Sequence, residues 1–195
     1  MRLSLVWTVV RKDWFEFRKE IAGITALMFL PVWMWWMGDL RPDFADGFRV
    51  GGWITIPFMF AHWCLSRENQ AESLGFLLSL PATRTELLVS KYASVYSMTL
   101  VSLNVSGIYF GLEMLFYANA AGLFFATFSV ISAVISGEKG GSEIPIFAAV
   151  SLAASLAFGL DFSGWIDAHK TGLAILAYAL IPFMVIASLW PSRKE

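Results

Sequence analysis

Uncharged stretches long enough to cross a membrane recur along this chain. Four of them contain no charged residue: 21–38, 50–66, 144–160 and 171–192. A helix rises ~1.5 Å per residue, so about 20 residues cross a hydrocarbon core of ~30 Å. Each of the four stretches therefore predicts one transmembrane helix.

A fifth apolar stretch, 92–137, contains a single charged residue, Glu113, and is too long for one crossing. It predicts two helices joined by a turn near 117–120. The whole pattern is typical of an all-α polytopic membrane protein that forms one domain, 1–195, with six transmembrane helices. Their predicted bounds are about 21–38, 50–66, 92–116, 120–137, 144–160 and 171–190.

Residues 1–20 have a different pattern, in which apolar residues recur every three or four positions between charged ones. The apolar positions are Leu3, Val6, Trp7, Val10, Trp14 and Phe17. Such a stripe is typical of an amphipathic helix that lies in the membrane interface with its basic groups at the lipid headgroups. A soluble helix that packs on another subunit is the alternative.

The longest polar interruption of the apolar pattern, 67–91, predicts two short helices against the membrane surface. Leu74, Leu77 and Leu78 fall on one face of the first helix. Pro81 cannot lie inside a helix, and it disfavours helical geometry at the residue before it. The first helix is therefore expected to end at this proline.

The second helix of this loop has a local start signal. Thr83 is followed three residues later by Glu86, which is a capping-box pattern. In a capping box each side chain accepts a hydrogen bond from the backbone N–H of the other residue, which satisfies amides that a helix start leaves unpaired. The pattern of the loop therefore predicts a helix, a proline corner and a second helix.

Composition and charge agree with a membrane protein and indicate its orientation. The 195 residues are 57% hydrophobic and 15% charged, with a mean hydropathy of +0.64, whereas a soluble domain needs more charge to cover its surface. With both termini in the cytoplasm, only three of the 14 Lys and Arg residues lie outside: Arg41, Arg49 and Lys170. Because basic loops stay in the cytoplasm, we expect a multi-pass protein of the inner or plasma membrane with both termini cytoplasmic.

Motifs of catalytic chemistry are absent from the sequence. No GxxxxGK[ST] or GxGxxG loop is present, so the chain has no recognisable nucleotide site. His62 and His169 lie at opposite ends of different predicted spans, and Cys64 is the single cysteine, which leaves no candidate metal cluster. We therefore expect a chain that is not an enzyme, with no catalytic residue, metal or cofactor of its own and no nucleic-acid partner.

Glu113 is the one acidic residue inside a long apolar stretch, where an ionisable group is costly unless it is paired or hydrated. Asn104 and Tyr109 precede it in the same predicted helix. These three residues are candidates for a transport pathway. In the alternative interpretation, Glu113 anchors its helix at the headgroups and the smaller polar residues join neighbouring helices.

The polar loop and the N-terminal helix resemble the permease subunits of the type-2 ABC exporter family. Those proteins carry one or two acidic residues, an LLSLP-like run, an arginine three positions after the proline, and a short helix that ends in lysine. The matching elements here are Arg67, Glu68, the run 77–81, Arg84, Glu86 and Lys91, with Lys12 and Asp13 at the KD pair of the N-terminal helix. Gly75 departs from the pattern, because many members have an acid there.

The resemblance implies a mechanism and a set of partners. In this family the loop carries a coupling helix that sits in a groove of a separate ATPase subunit, and two permeases pair with two ATPases, which hold ATP and Mg²⁺. The residues implied to contact the ATPase are Glu68, Glu72, Leu74, Leu77, Leu78, Pro81, Arg84 and Glu86. The implied partners are an ABC ATPase, a second permease copy or a relative of it, and the lipid bilayer.

Two other functions suit a polytopic chain of this size. A nucleotide-independent secondary transporter or channel needs coupling-ion ligands near the midplane and usually inverted repeats, and the sequence shows neither. The membrane subunit of the haem exporter of cytochrome c maturation is similar in size and number of spans, but its loop usually lacks the pattern of Pro81, Arg84 and Glu86. The resemblance therefore favours a general ABC exporter.

Overall fold

The computed structural model describes residues 2–36, 42–66, 83–107, 112–136 and 168–189. In this part of the chain all regular secondary structure is α-helical, which confirms the predicted all-α class. The helices are α1 Leu3–Glu16, α2 Arg18–Trp36, α3 Pro42–Ser66, α4 Arg84–Gly107, α5 Leu112–Ser136 and α6 Ala168–Leu189.

Two of the described helices are long and apolar enough to cross a membrane by length and composition. They are α5, over Leu115–Ser132, and α6, over Ala168–Leu189. Large apolar side chains of α6 face outward, with Phe183 71% and Ile186 60% exposed. The predicted span 144–160 lies outside the described residues, so the count of six spans stays a prediction.

The break between the third and fourth predicted spans lies earlier than the sequence pattern indicates. Helix α4 ends at Gly107 and α5 begins at Leu112, and residues 117–120 are inside α5. The predicted turn at 117–120 is therefore wrong. The reason is that the apolar run has no periodic change to mark a break, whereas glycine disfavours a helix interior by up to ~1 kcal/mol and so ends a helix without changing hydropathy.

The second helix predicted in the polar loop is the beginning of a longer helix. Helix α4 starts at Arg84 and runs without a break through the predicted boundary at 91. The predicted capping box is confirmed: the N–H of Thr83 donates to Glu86 Oε2 at 3.1 Å, and the N–H of Glu86 donates to Thr83 Oγ1 at 3.2 Å. Residues 84–91, the last part of the predicted loop, are thus the first two turns of a helix of the bundle.

Helix α4 lies at the centre of the described bundle, where it packs against α1, α2, α3 and α5. Large, almost completely buried side chains of the core come from α3, α4 and α5 and from the residue between α1 and α2: Phe60, Met98, Leu103, Val130 and Phe17. Gly122 permits a close approach of α5 to α4, because a Cβ at this position would overlap Leu103 Cδ1 and lie 3.2 Å from Thr99 Cγ2. The contact between α4 and α5 therefore depends on a residue without a side chain.

The first and last described helices each contribute a contact to the beginning of α4. The hydroxyl groups of Tyr92, near the start of α4, and Ser188, near the end of α6, are 2.8 Å apart. Helix α1 packs on the same first turns of α4, as its contacts below show. Both ends of the described chain therefore lie on one side, and the assignment of that side to the cytoplasm stays a prediction.

Candidate coupling site

Most of the residues predicted to contact an ATPase fall in a part of the chain that the structure does not describe. Outside the described residues lie Glu68, Glu72, Leu74, Leu77, Leu78 and Pro81. Arg84 is described as the first residue of α4, but its side chain is not. The structure therefore places the side chain of one predicted contact, Glu86, and the contacts of the loop with an ATPase stay a prediction.

Glu86 is held inside this chain by two sets of donors. Besides the capping bond from Thr83, its carboxylate accepts hydrogen bonds from the backbone N–H of Arg2 at 2.8 Å and from Arg2 Nη2 at 3.1 Å. Its side chain is 7% exposed, while that of Arg2 is 50% exposed. The bond from Thr83 and those from Arg2 lower the pKa of Glu86 to about 2, so the carboxylate is ionised at neutral pH and ties the N-terminus to the end of the loop.

A second ion pair lies deeper between the same two helices. Lys91 Nζ donates to both carboxylate oxygens of Asp13, at 3.2 and 3.1 Å, and the two side chains are 4% and 1% exposed. Charges this well buried are kept in proteins when they are paired, because an unpaired buried charge is strongly unfavourable. Asp13 and Lys91 therefore form a fixed contact between α1 and α4.

Asp13 and Lys91 both belong to the family resemblance, but the sequence pattern does not predict that they pair. A local signal for it exists. Asp13 lies four residues after Val9 on the same face of α1 and four residues before Phe17, which follows the helix, and both neighbours are buried. A carboxylate in the middle of a buried face needs a cation opposite it, but the sequence does not show which helix supplies the cation.

The buried face of α1 differs from the predicted apolar stripe. Leu3 and Trp7 belong to that stripe, yet they are 72% and 67% exposed, while Leu5 and Val9 are buried. Leu3 and Trp7 are therefore not on the face of α1 that packs on the bundle. The reason is that α1 packs on α4 with the face that carries Asp13, which leaves a second apolar face outward; the position of that face in the membrane interface stays a prediction.

Further polar contacts continue along α4. Trp14 Nε1 donates to Ser97 Oγ at 2.7 Å. Between α2 and α4, Thr25 Oγ1 donates to Ser102 Oγ at 3.2 Å. Polar bonds of this kind are a common means of joining helices in an apolar environment, and here they align α1 and α2 along successive turns of α4.

The three pathway candidates do not come together in the described part of the chain. Asn104 Nδ2 donates to the carbonyl of Leu100 at 2.7 Å, and its Oδ1 accepts a bond from Asn119 at 2.9 Å. Glu113 lies in the first turn of α5, and its predicted position in the third span is wrong; its side chain and all of Tyr109 are outside the described residues. Asn104 therefore joins α4 to α5, and a pathway role stays a prediction.

The described part of the chain is thus an α-helical bundle in which two helices are long and apolar enough to cross a membrane and a buried ion pair ties the N-terminal helix to α4. A family model described as ABC-2 family transporter protein matches residues 8–190, from α1 to the end of α6. The chain therefore belongs to the ABC-2 family of transporter proteins, as the loop motif predicts. No curated protein and no solved structure matches it.

Proposed function

We propose that this chain is the transmembrane permease subunit of an ATP-driven ABC transporter and that it works as an exporter. The observation that carries the proposal is the family match over residues 8–190. The match spans α2 to α6 and most of α1, so it concerns the bundle as a whole and not the loop motif alone. The outward apolar side chains of α6 suit a surface in contact with lipid.

ATP hydrolysis belongs, in this proposal, to a separate ATPase subunit that binds ATP and Mg²⁺. The chain has no phosphate-binding loop of its own. Two permease copies, or one copy and a relative, enclose the pathway and carry one ATPase each. ATP binding brings the ATPases together, and the permeases change the side to which their cavity opens.

The proposed route for this motion is the loop 67–83 followed by α4. The loop sits in the ATPase groove with Leu74, Leu77 and Leu78, and α4 begins immediately after it. Because α4 packs against four other helices, a displacement at its first residue reaches the core of the bundle without an intervening hinge. The continuity of α4 supports this route better than a separate surface helix would.

The proposal places the protein in the inner or plasma membrane with both termini in the cytoplasm. The excess of Lys and Arg in the predicted cytoplasmic segments supports this orientation. The contact between Tyr92 and Ser188 supports a common side for both ends. The outward face of α1, with Trp7, Phe15 and Arg11, suits the headgroup layer beside that side.

The test is to replace leucines of the loop by aspartate and to co-purify the permease with its ATPase. Leu77→Asp and Leu78→Asp are expected to leave membrane insertion intact and to abolish co-purification, since a charge cannot enter an apolar groove. Ser79→Asp is the matched control, because residue 79 falls on the opposite side of the helix from the leucine face. Unchanged co-purification and ATPase activity in both leucine variants would remove the proposed coupling role.

A further inference from the structure

The ion pair of Asp13 and Lys91 is not explained by stability alone. Its atoms are 3.1 and 3.2 Å apart and both side chains are almost completely buried. Burying two charges has a large desolvation cost, and apolar residues of similar volume often stabilise a protein at least as well. The property that a buried ion pair adds is register: the two helices cannot slide by a turn without leaving both charges unpaired.

This pair is the middle one of three polar contacts between α1 and α4. Arg2 binds Glu86 at the first turn of α4, Asp13 binds Lys91 about two turns in, and Trp14 binds Ser97 further along. Residues of increasing number in α1 thus meet residues of increasing number in α4. Three contacts at different heights fix both the register and the rotation of α1 on α4.

Lys91 lies close to the point where the loop enters the bundle. Arg84 is the first residue of α4, so seven residues and ~10 Å of helix separate that point from Lys91. A displacement of the loop by an ATPase therefore reaches Lys91 through two turns of unbroken helix. Because Asp13 is paired with it, the same displacement acts on α1.

We propose that the pair of Asp13 and Lys91 makes α1 and the first turns of α4 one rigid unit, so that α1 moves with the loop during the ATP cycle. The inference rests on the proposed function, because it needs an ATPase that moves the loop. It assigns Asp13 and Lys91 a positioning role: they contact neither cargo nor nucleotide, and they pass the movement of the loop to the N-terminal helix.

Hydrogen–deuterium exchange of the permease–ATPase complex tests this inference without knowledge of the cargo. The exchange of peptides from α1 and from the first turns of α4 is compared between the nucleotide-free complex and the complex trapped with ATP and vanadate. In the wild type we expect both peptides to change together on trapping. In Asp13→Asn we expect the α4 peptide to respond while the α1 peptide exchanges at least about tenfold faster in both states.

The rescue variant separates a specific ion pair from a general loss of folding. Exchanging the charges, with Asp13→Lys and Lys91→Asp together, is expected to restore the joint response. Glu16→Gln is the matched control, because it removes the exposed partner of Lys12 at 3.5 Å within α1 and leaves the contact with α4 in place. We expect it to behave as the wild type.

The outcomes separate the inference from the proposed function. A wild-type complex in which α4 responds and α1 does not would overturn the inference alone. So would an Asp13→Asn complex in which the α1 peptide responds and exchanges as in the wild type, or an exchanged pair that fails to restore the joint response. If α4 itself shows no response to ATP, the proposed function fails and the inference fails with it.

Discussion

Arg2 and Glu86 are 84 positions apart in the sequence and form an ion pair in which the backbone and the guanidinium of Arg2 both donate to the same carboxylate. The carboxylate also caps α4 through the N–H of Thr83. The side chain of Glu86 therefore has two structural roles: it caps the start of α4, and it holds the N-terminus at the end of the loop. The position of α1 is coupled in this way to the integrity of the first turn of α4.

The first prediction concerns the pH range in which Glu86 stabilises the protein. The pKa of Glu86 is lowered from 4.5 to about 2, so its ionised form is favoured by folding. Its contribution is complete above about pH 4.5 and is lost as the pH falls towards 2. We expect Glu86→Gln to lower the Tm of the purified protein by a similar amount at pH 7 and pH 5 and by a smaller amount at pH 3.

The measurement is thermal unfolding of wild type and variant in the same detergent across that pH series. Arg2→Gln is the companion variant; it removes the guanidinium but keeps the backbone N–H donor, so a smaller loss is expected. A difference between wild type and Glu86→Gln that is undiminished at pH 3 would contradict the pairing of Glu86 described here.

The second prediction concerns the energy of the buried pair. Lys91→Met leaves the carboxylate of Asp13 buried without its partner and is expected to cost roughly 3–5 kcal/mol of unfolding free energy. Replacing both residues by apolar ones, with Asp13→Leu and Lys91→Met, is expected to regain most of that loss. Thermal unfolding of the two single variants and the double variant measures the coupling.

Glu16→Gln serves as the reference for this series. It breaks a pair between Lys12 and Glu16 whose side chains are 21% and 31% exposed, and exposed pairs of this spacing contribute ~0.3–0.5 kcal/mol. A double variant as unstable as the sum of the two single variants would show that Asp13 and Lys91 act independently, against the contact that the structure shows.

The third prediction concerns the packing of α4 against α5. Gly122→Ala adds a methyl group that overlaps Leu103 Cδ1, and Leu103 is 1% exposed, so it has little room to move. Overpacking of this kind costs ~1–3 kcal/mol. We expect a lower Tm and reduced protection of α5 from hydrogen exchange.

The control for this prediction is another helical glycine with open space around it. A Cβ at Gly23 of α2 meets nothing within 4 Å, and alanine is favoured over glycine in a helix by ~0.8–1.0 kcal/mol. Gly23→Ala is therefore expected to leave Tm unchanged or to raise it. Equal destabilisation by both substitutions would show that the helices tolerate no alanine for reasons other than the contact with Leu103.

Sequence determined those features of the protein that depend on near neighbours or on average composition. The capping box of Thr83 and Glu86 joins residues three positions apart, and the structure contains both of its bonds. The all-α class follows from apolar runs that must satisfy their backbone groups within each helix. The loop motif predicts membership of the ABC-2 family, because a motif is also a pattern of near neighbours in the sequence.

Tertiary structure alone decided which face of each helix is buried and which charges meet. The apolar residues of α1 supply two possible faces, and packing against α4 selects the one that contains Asp13. The partner of Asp13 is 78 positions away, and α4 ends at Gly107 within an apolar run whose pattern predicts a turn ten residues later. Helical periodicity specifies a direction around one axis, whereas contact between two helices depends on their distance and rotation, which only the folded bundle sets.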